Sequence, residues 1–158
     1  MKKEGEFVYM EDNVFANVGG IVLRDDKILL VRHTYGSAAG KLLNPGGRLQ
    51  QGELPNDAIK REILEETGIE VNPIGMLSIR CSLDGWYMVF LCEYISGEPK
   101  SDGFENSEAL FMDCDELLKR EDATDTVKTL LKIALTKKPI VPVDTGKNRL
   151  LFVANENL

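Results

Sequence analysis

Five segments of the chain carry short apolar runs, rich in β-branched and aromatic residues, that are typical of β-strands. The polar triplet Arg24-Asp25-Asp26 separates the first two runs and suits a hairpin turn, so we expect these strands to pair antiparallel. A further apolar run, LLFV at 150–153, fits an edge strand, a lid or a partner contact. The predicted strands are 14–23, 27–33, 74–80, 86–95 and 109–112.

Three other segments have the composition and spacing of helices. The first begins with Pro55, because a missing N–H costs nothing at the first helical position, and it ends before Gly68, which suits the left-handed residue after a helix. Ile59 and Ile63 give it a modest apolar stripe. Leu54 is a weak N-cap because its side chain has no oxygen atom. The predicted helices are 55–67, 115–120 and 123–137.

The connecting segments contain no repeat, low-complexity stretch or linker. HTYGSAAGK at 33–41 reads as a loop, and Pro45-Gly46-Gly47 is a strong chain breaker. We therefore expect one domain over residues 1–158, with 138–158 as a candidate C-terminal extension. Its class is α/β, with a mixed, mostly antiparallel sheet covered by helices.

Composition and charge narrow the class of protein. The 158 residues are 43% hydrophobic and 28% charged, as in ordinary soluble domains. No run approaches the ~18 apolar residues of a membrane span, and MKKEGEFVYMEDN lacks the apolar core of a signal peptide, so we expect a cytoplasmic protein with no membrane partner. A net charge of -7 argues against nucleic acid polymers as partners. An anionic small molecule stays compatible, because local cations or metals reverse the sign within one cleft.

The cysteines and the histidine restrict the chemistry further. Cys81, Cys92 and Cys114 are widely spaced and form no CxxC pair, so we interpret them as reduced, mostly buried thiols. His33 is the only histidine, which removes most zinc chemistry and any triad that needs a second imidazole. A single histidine beside a strand is more often structural.

Three glutamates crowd into the segment REILEETG, from Arg61 to Gly68. Like charges at i,i+3 and i,i+4 repel by roughly 0.2–0.5 kcal/mol per pair, so the helix gains nothing from them alone. Glu62, Glu65 and Glu66 lie within one helical arc of about 100°. Carboxylates arranged in this way suit Mg²⁺, with waters and substrate phosphates completing its shell. Taken alone, the pattern fits a solvated acidic helix face at least as well.

Residues upstream of the helix favour the metal site. Gly46-Gly47 provides a turn without side chains, where a backbone carbonyl can approach an ion. Glu53 adds a fourth carboxylate at the junction of loop and helix, and Arg61 is a cation placed to pin it. The combination of four carboxylates, a glycine turn and one internal arginine favours a metal site over a solvated acidic helix face.

The spacing of these residues resembles the Nudix box. Gly47, five residues, Glu53, seven residues and then REILEETGI, ending at Ile69, fill every fixed position of that motif. The resemblance to the Nudix hydrolase family implies an α/β/α sandwich with a mixed, mostly antiparallel sheet. It also implies Mg²⁺-dependent hydrolysis of a diphosphate linkage in a nucleoside diphosphate joined to another group, with Mn²⁺ as a substitute. Homodimers are common in the family, so it further suggests a homodimer.

The same resemblance implies a role for each residue of the motif. Glu62 and Glu66 would be the main metal ligands, Glu65 would complete the cluster, and the carbonyl of Gly46 would supply a backbone ligand. Arg61 would pair with Glu53 and hold the loop.

The general base is left open by the sequence. Many family members draw it from a loop after the central strands, where Glu105 and Glu108 are the candidates. Each is equally an ordinary solvated loop residue, and Glu53 or Glu65 could also serve.

Specificity must come from residues outside the motif. Tyr87 follows Ile69 by 18 residues, close to a tyrosine that dinucleoside polyphosphate hydrolases of the family often use for stacking. Its neighbour Trp86 should face the other side of the strand, and both fit plain strand aromatics better than a ligand site. Arg32, like Arg80 and Lys41, is either a phosphate contact or a surface cation. ADP-ribose, a (d)NTP and a dinucleoside polyphosphate all remain candidate substrates.

Two other functions remain open. The first is a non-catalytic Nudix module that binds or senses a nucleotide, although such a module has no need to keep every carboxylate of the motif. The second is an isomerase of isoprenoid diphosphates. It would require a suitably placed cysteine and histidine, for which His33 and the three cysteines give little support.

Overall fold

The computed structural model of the protein describes residues 15–83 and 85–154. Helix α1 has the predicted bounds, and its C-cap Gly68 has φ 73°, the left-handed conformation expected there. Val14, expected in the first strand, lies outside the described residues. The elements are β1 (Phe15–Arg24), β2 (Lys27–His33), β3 (Leu42–Leu43), β4 (Gly46–Arg48), α1 (Pro55–Thr67), β5 (Glu70–Ser82), β6 (Gly85–Ser96), β7 (Asn106–Asp113), α2 (Cys114–Lys119), α3 (Asp125–Thr136), β8 (Val141–Asp144) and β9 (Leu150–Val153).

The central sheet is mixed and mostly antiparallel, as expected. Its strand order is β3-β2-β1-β6-β5, while β4 pairs with β1 and β7 pairs with β2. The pairing of β1 with β6 is parallel, and every other strand pair in the sheet is antiparallel. The predicted hairpin between β1 and β2 is present, with Leu23 opposite Ile28. Asp25 in its turn has φ 53°, which aspartate tolerates better than most residues.

Helices cover both faces of this sheet. On one face Val18 and Phe90 pack with Ile59 and Ile63 of α1. On the other face Ile21 packs in a second core with residues of α2 and α3. Because both faces are buried, β1 reads as a nearly continuous apolar run instead of an alternating one. This arrangement is the expected α/β/α sandwich.

Two short strands occur where the sequence predicted none: β3 follows the predicted loop, and β4 begins within the predicted breaker. β3 and β4 hold two and three residues, which is too short for any periodic pattern. In β4, Gly46 lies opposite Gly19, and a Cβ atom at Gly46 would overlap the Val18 carbonyl oxygen. Glycine is required there for close backbone approach, so the breaker is part of the sheet.

The C-terminal segment forms a separate two-stranded sheet of β8 and β9. Phe152 in β9 contacts Phe90 edge to face at 5.8 Å, which attaches the hairpin to the core beneath α1. Cys92 and Cys114 are buried and Cys81 is exposed, and all three are free thiols. Across the described residues no helix is long and apolar enough to cross a membrane.

Candidate functional site

Helix α1 brings two glutamates against the Gly46-Gly47 pair of β4. The Gly46 N–H donates to Glu66 Oε2 at 3.0 Å. A Cβ atom at Gly47 would overlap the Glu62 carboxylate, so only glycine leaves room for that group. The glycine pair therefore lets the carboxylates of α1 approach the sheet backbone.

Arg61 ties the glutamate segment to the loop before α1. Its Nε and Nη2 atoms donate to the two carboxylate oxygens of Glu53 at 2.8 and 3.0 Å. Nη1 donates to Glu62 at 2.7 Å and to Glu65 at 3.2 Å, and Nη2 also donates to the Arg48 carbonyl at 3.1 Å. The hydrogen bonds from Arg61 lower the pKa of Glu53. The ion pair expected from the sequence is present and bidentate.

Glu66 and Glu62 are held largely out of water. Glu66 is 3% exposed, and this burial raises its pKa to about 8, while the Gly46 N–H acts in the opposite direction. The negative charges of Glu105 and Glu62 add to the rise. Burial also raises the pKa of Glu62, and the hydrogen bond from Arg61 lowers it. A nearby cation would favour the charged form of both carboxylates.

Glu105 and Glu108 have different surroundings. Glu105 precedes β7 and lines the same cleft as Glu62. Glu108 lies within β7 and accepts a hydrogen bond from Arg32 Nε at 2.9 Å. Arg32 Nη1 also donates to Asp122 at 3.0 Å and to the Gly40 carbonyl at 2.8 Å. Of the candidates from the sequence, Glu105 is brought to the glutamate cluster, whereas Arg32 and Glu108 pair with each other outside the lining of the cleft.

The cleft has a volume of about 800 Å³ and three kinds of wall. Its acidic end contains Glu62, Glu105 and the glycine pair. Cations lie along the wall as well, and amide and hydroxyl side chains form its neutral part. The cations are Lys41, Arg48 and Arg80, and the neutral polar side chains are Asn17, Ser37, Asn44, Tyr87, Thr124 and Thr126.

Tyr87 lines this cleft, and Trp86 lies on the opposite face of β6, half exposed, as alternation predicts. The Tyr87 hydroxyl accepts a hydrogen bond from Asn44 Nδ2 at 2.8 Å. The Arg80 guanidinium lies 5.3 Å from the centroid of the tyrosine ring. Burial raises the pKa of Tyr87. Tyr87 is therefore fixed in the wall of the cleft by the contact of Arg80 with its ring and by the hydrogen bond of Asn44 to its hydroxyl.

Sequence reasoning missed Asn44 and Tyr35. Asn44 is 4% exposed. It lies immediately before the Pro-Gly-Gly breaker, and this position is the one sequence feature that could have identified it. Tyr35 stacks with His33 at a centroid distance of 4.6 Å at the edge of the cleft. Burial raises the pKa of Tyr35, and the negative charges of Glu105 and Glu66 add to the rise. Tyr35 could not be identified from the sequence, because a single aromatic residue two positions after the end of β2 belongs to no recognisable motif.

The donor set at the acidic end fits a hard divalent cation. Within residues 15–83 and 85–154, no three or more histidine, cysteine, aspartate or glutamate side chains already converge on a metal position. Magnesium in nucleotide sites takes one or two protein carboxylates, and substrate phosphates and waters fill its remaining positions. Glu66 is buried, Glu62 is partly buried, and both lie at the glycine pair, which matches that requirement.

Fold and site together define an α/β/α protein with a carboxylate-rich ligand cleft at a loop–helix junction. The model of the NUDIX domain family matches residues 15–132, and the chain belongs to this family. The resemblance seen in the sequence is thereby confirmed.

Related proteins share the domain but are longer. An ADP-ribose pyrophosphatase of Methanocaldococcus jannaschii is 35% identical over 108 residues, which cover 65% of this chain and 63% of the relative. An 8-oxo-dGDP phosphatase of Danio rerio is 29% identical over 105 residues, which cover 65% of this chain and 32% of the relative. The chain thus spans less than two thirds of the length of either curated relative.

Solved structures share the fold. A MutT NUDIX hydrolase from Burkholderia pseudomallei has a TM-score of 0.67 and 25% identity, covering 76% of this chain and 97% of that chain. A NUDIX hydrolase from Nitrosomonas europaea has a TM-score of 0.67 and 27% identity, covering 80% of this chain and 93% of that chain. The expected fold is confirmed.

Proposed function

We propose that this protein hydrolyses a diphosphate linkage in a small nucleotide, a nucleoside diphosphate joined to another group. The observation that carries the proposal is the pair of carboxylates at Gly46-Gly47: Glu66 is buried and bonded to the Gly46 N–H, and Glu62 is partly buried and bonded to Arg61. Burying these charges costs free energy that folding alone does not require. A cation-binding reaction centre explains why they are placed at the glycine pair, which lines one end of the cleft.

Glu62 and Glu66 would hold Mg²⁺, with Mn²⁺ as a substitute, and Glu65 and the Gly46 carbonyl are the further ligands proposed. When bound, the cation would neutralise the negative charge of the diphosphate and activate a water molecule. Arg61 holds the loop before α1 against the glutamate segment of the helix through its two hydrogen bonds to Glu53. Its role is positioning, because its donors all point to protein oxygens.

Glu105 is the general base that we favour among the four candidates. Both oxygens of Glu53 are hydrogen-bonded to Arg61, and Glu108 is bonded to Arg32. The Glu65 side chain is 61% exposed and also contacts Arg61. Glu105 lines the cleft beside Glu62 and is therefore the best placed to accept a proton from attacking water.

The nucleoside would lie in the neutral part of the cleft, where Asn17, Asn44 and Thr126 offer both donors and acceptors. Lys41 and Arg80 would contact phosphate oxygens. The names of the relatives favour ADP-ribose and an oxidised purine nucleoside diphosphate as the first substrates to test. The cytoplasmic location and the homodimer expected from the sequence stay predictions, and sedimentation analysis tests the second.

The test is hydrolysis of a nucleotide panel with Mg²⁺, with product identification by mass spectrometry. The panel should contain ADP-ribose, 8-oxo-dGDP, the common (d)NTPs and a dinucleoside polyphosphate. We expect turnover of at least one compound and products that place the cleavage within a diphosphate linkage. Tight binding of a nucleotide without any turnover would refute the proposal and favour a sensing module.

A further inference from the structure

Asn106 joins the C-terminal end of α1 to the segment that carries Glu105. It is the first residue of β7 and is 1% exposed. Its Nδ2 atom donates to the carbonyl oxygen of Glu66 at 2.9 Å. That carbonyl belongs to the last turn of α1, where backbone acceptors have no partner within the helix. The backbone of Glu66, which binds the glycine pair, is thus bonded to the sequence neighbour of Glu105, which lines the cleft.

Only the NH₂ group of the Asn106 side-chain amide takes part in this hydrogen bond. Within the described residues, no group donates a hydrogen bond to the buried Oδ1 atom of Asn106. The donation from Nδ2 to the Glu66 carbonyl is thus the contact through which the Asn106 side chain acts on α1. An apolar residue of similar size would avoid the unpaired oxygen but would lose the bond to Glu66.

Asp102 holds the chain just before Asn106 in one conformation. Its Oδ1 atom accepts hydrogen bonds from the N–H groups of Phe104, Glu105 and Asn106 at 2.9, 3.0 and 3.1 Å. Thr34 of the neighbouring segment donates its N–H to the Glu105 carbonyl at 3.1 Å. The backbone of Glu105 is therefore fixed on both sides while its side chain lines the cleft.

A second contact joins the same loop to the helix. The Lys100 N–H donates to the Thr67 carbonyl at 2.9 Å, next to the Glu66 carbonyl that Asn106 binds. Two successive carbonyls at the end of α1 thus receive their hydrogen bonds from residues 100–106. Any shift of this loop relative to α1 would break both bonds and change the separation of Glu66 and Glu105.

We propose that Asn106, supported by Asp102, is a positioning residue that sets the placement of Glu105 relative to Glu66 for the hydrolytic reaction. The inference rests on the proposed function for its catalytic consequence. Asn106 acts through the backbone of these two glutamates, and the proposal assigns it no contact with substrate. Misplacement of a reacting group by about 1 Å can cost on the order of 100-fold in rate.

The primary test is a double-mutant cycle of N106A and E105Q. We expect N106A to lower kcat on the order of 10- to 100-fold with little change in KM. In the E105Q background the same substitution should lower kcat by less than about 3-fold, because residues that act as a unit have non-additive effects. Equal factors in both backgrounds would overturn the proposal, since a general structural role is independent of Glu105.

The Asp102 variants test the support of the loop, and they remain informative if N106A fails to fold, because Asp102 is exposed. D102A removes the acceptor, whereas D102N keeps an Oδ1 acceptor and removes the charge. We expect D102A to lower kcat and to show the same non-additivity with E105Q, and D102N to restore most of the activity. Equal defects in D102A and D102N would overturn this part of the proposal. D113A, which removes the N-cap contacts of α2 outside the cleft, controls for a simple loss of stability.

A readout without turnover separates the two proposals. Electron paramagnetic resonance of Mn²⁺ should show about 10-fold weaker binding to N106A, as is typical when a support of metal ligands is lost. An inactive parent whose Mn²⁺ affinity still falls in N106A would refute the proposed function and show that Asn106 positions Glu66 for cation binding alone. An active parent with unchanged Mn²⁺ affinity in N106A and additive kinetics would refute the positioning role alone.

Discussion

Replacement of Arg61 by alanine tests the brace on which the site depends. The substitution removes two bonds to Glu53, one each to Glu62 and Glu65, and one to the Arg48 carbonyl. Breaking a fully buried ion pair costs about 3–5 kcal/mol, and an exposed pair is worth about 0–1 kcal/mol. The Arg61 side chain is 22% exposed, and those of Glu53 and Glu62 are 16% and 12% exposed. An intermediate loss of about 2–3 kcal/mol follows.

For a domain of this size, that loss lowers Tm by roughly 4–12 °C, so R61A should still fold at 25 °C. Its kcat should fall on the order of 10- to 100-fold, because the Glu62 carboxylate is released from Arg61 and leaves its position at Gly47. R61K should be intermediate, since an ammonium group cannot form the bidentate contact with Glu53.

The assay combines thermal unfolding with steady-state kinetics on the best substrate. R120A is the matched control, because Arg120 also forms several ion-pair contacts, but with Glu116 and Asp122 instead of the glutamates of the α1 site. It should lower Tm without lowering kcat. Parent-like turnover in R61A would refute the brace, and a Tm loss far beyond about 12 °C would make Arg61 a core structural residue instead.

Two further predictions concern the glycine pair and a surface ion-pair network. G47A should lose most of its turnover with a small fall in Tm, because the new Cβ displaces the end of the Glu62 side chain, which bonds to Arg61. G46A should unfold at a clearly lower temperature than G47A, because its Cβ meets the backbone at the Val18 carbonyl, which cannot rotate away. Similar Tm values for the two variants would contradict this account. Hydrogen bonds from Arg120 and Arg32 hold the pKa of Asp122 far below its usual range. The stabilisation from Asp122 is therefore present above about pH 4 and is lost as the pH falls toward the folded-state pKa. Tm measured against pH should separate the parent from D122N at neutral pH and bring the two together in acid, and a gap that persists there would refute the assignment.

Local features of the chain predicted helix α1 and the ion pair between Arg61 and Glu53. Proline at the first position and glycine after the last fix the ends of α1 through backbone geometry alone, so both ends were predictable. The contact of Arg61 with Glu53 was also predictable, because they are only eight positions apart and the helix direction places them together. Both results depend on interactions within one short segment.

Interactions between distant segments escaped prediction. Arg32 was a candidate phosphate contact, but its partners Glu108 and Asp122 lie 76 and 90 residues away in sequence. No periodic pattern reports such a pairing, because it depends on the register of β2 with β7. Asn106 escaped for the same reason, since its partner, the Glu66 carbonyl, is 40 residues earlier. The positions of the carboxylates could be predicted from the sequence, whereas the residues that line the cleft around them could be identified only from the three-dimensional structure.

The central claim is that Glu66 belongs to a cation-dependent hydrolytic site, and one comparison tests it most directly. The rate of Mg²⁺-dependent hydrolysis of the best nucleotide should be measured for the parent, for E66Q and for E98Q, a matched change at an exposed glutamate. We predict parent-like rates for E98Q, no activity in any variant after chelation of the metal, and a loss of at least about 100-fold in E66Q, since several kcal/mol of stabilisation by the cation disappears. Undiminished hydrolysis by folded E66Q would contradict the account.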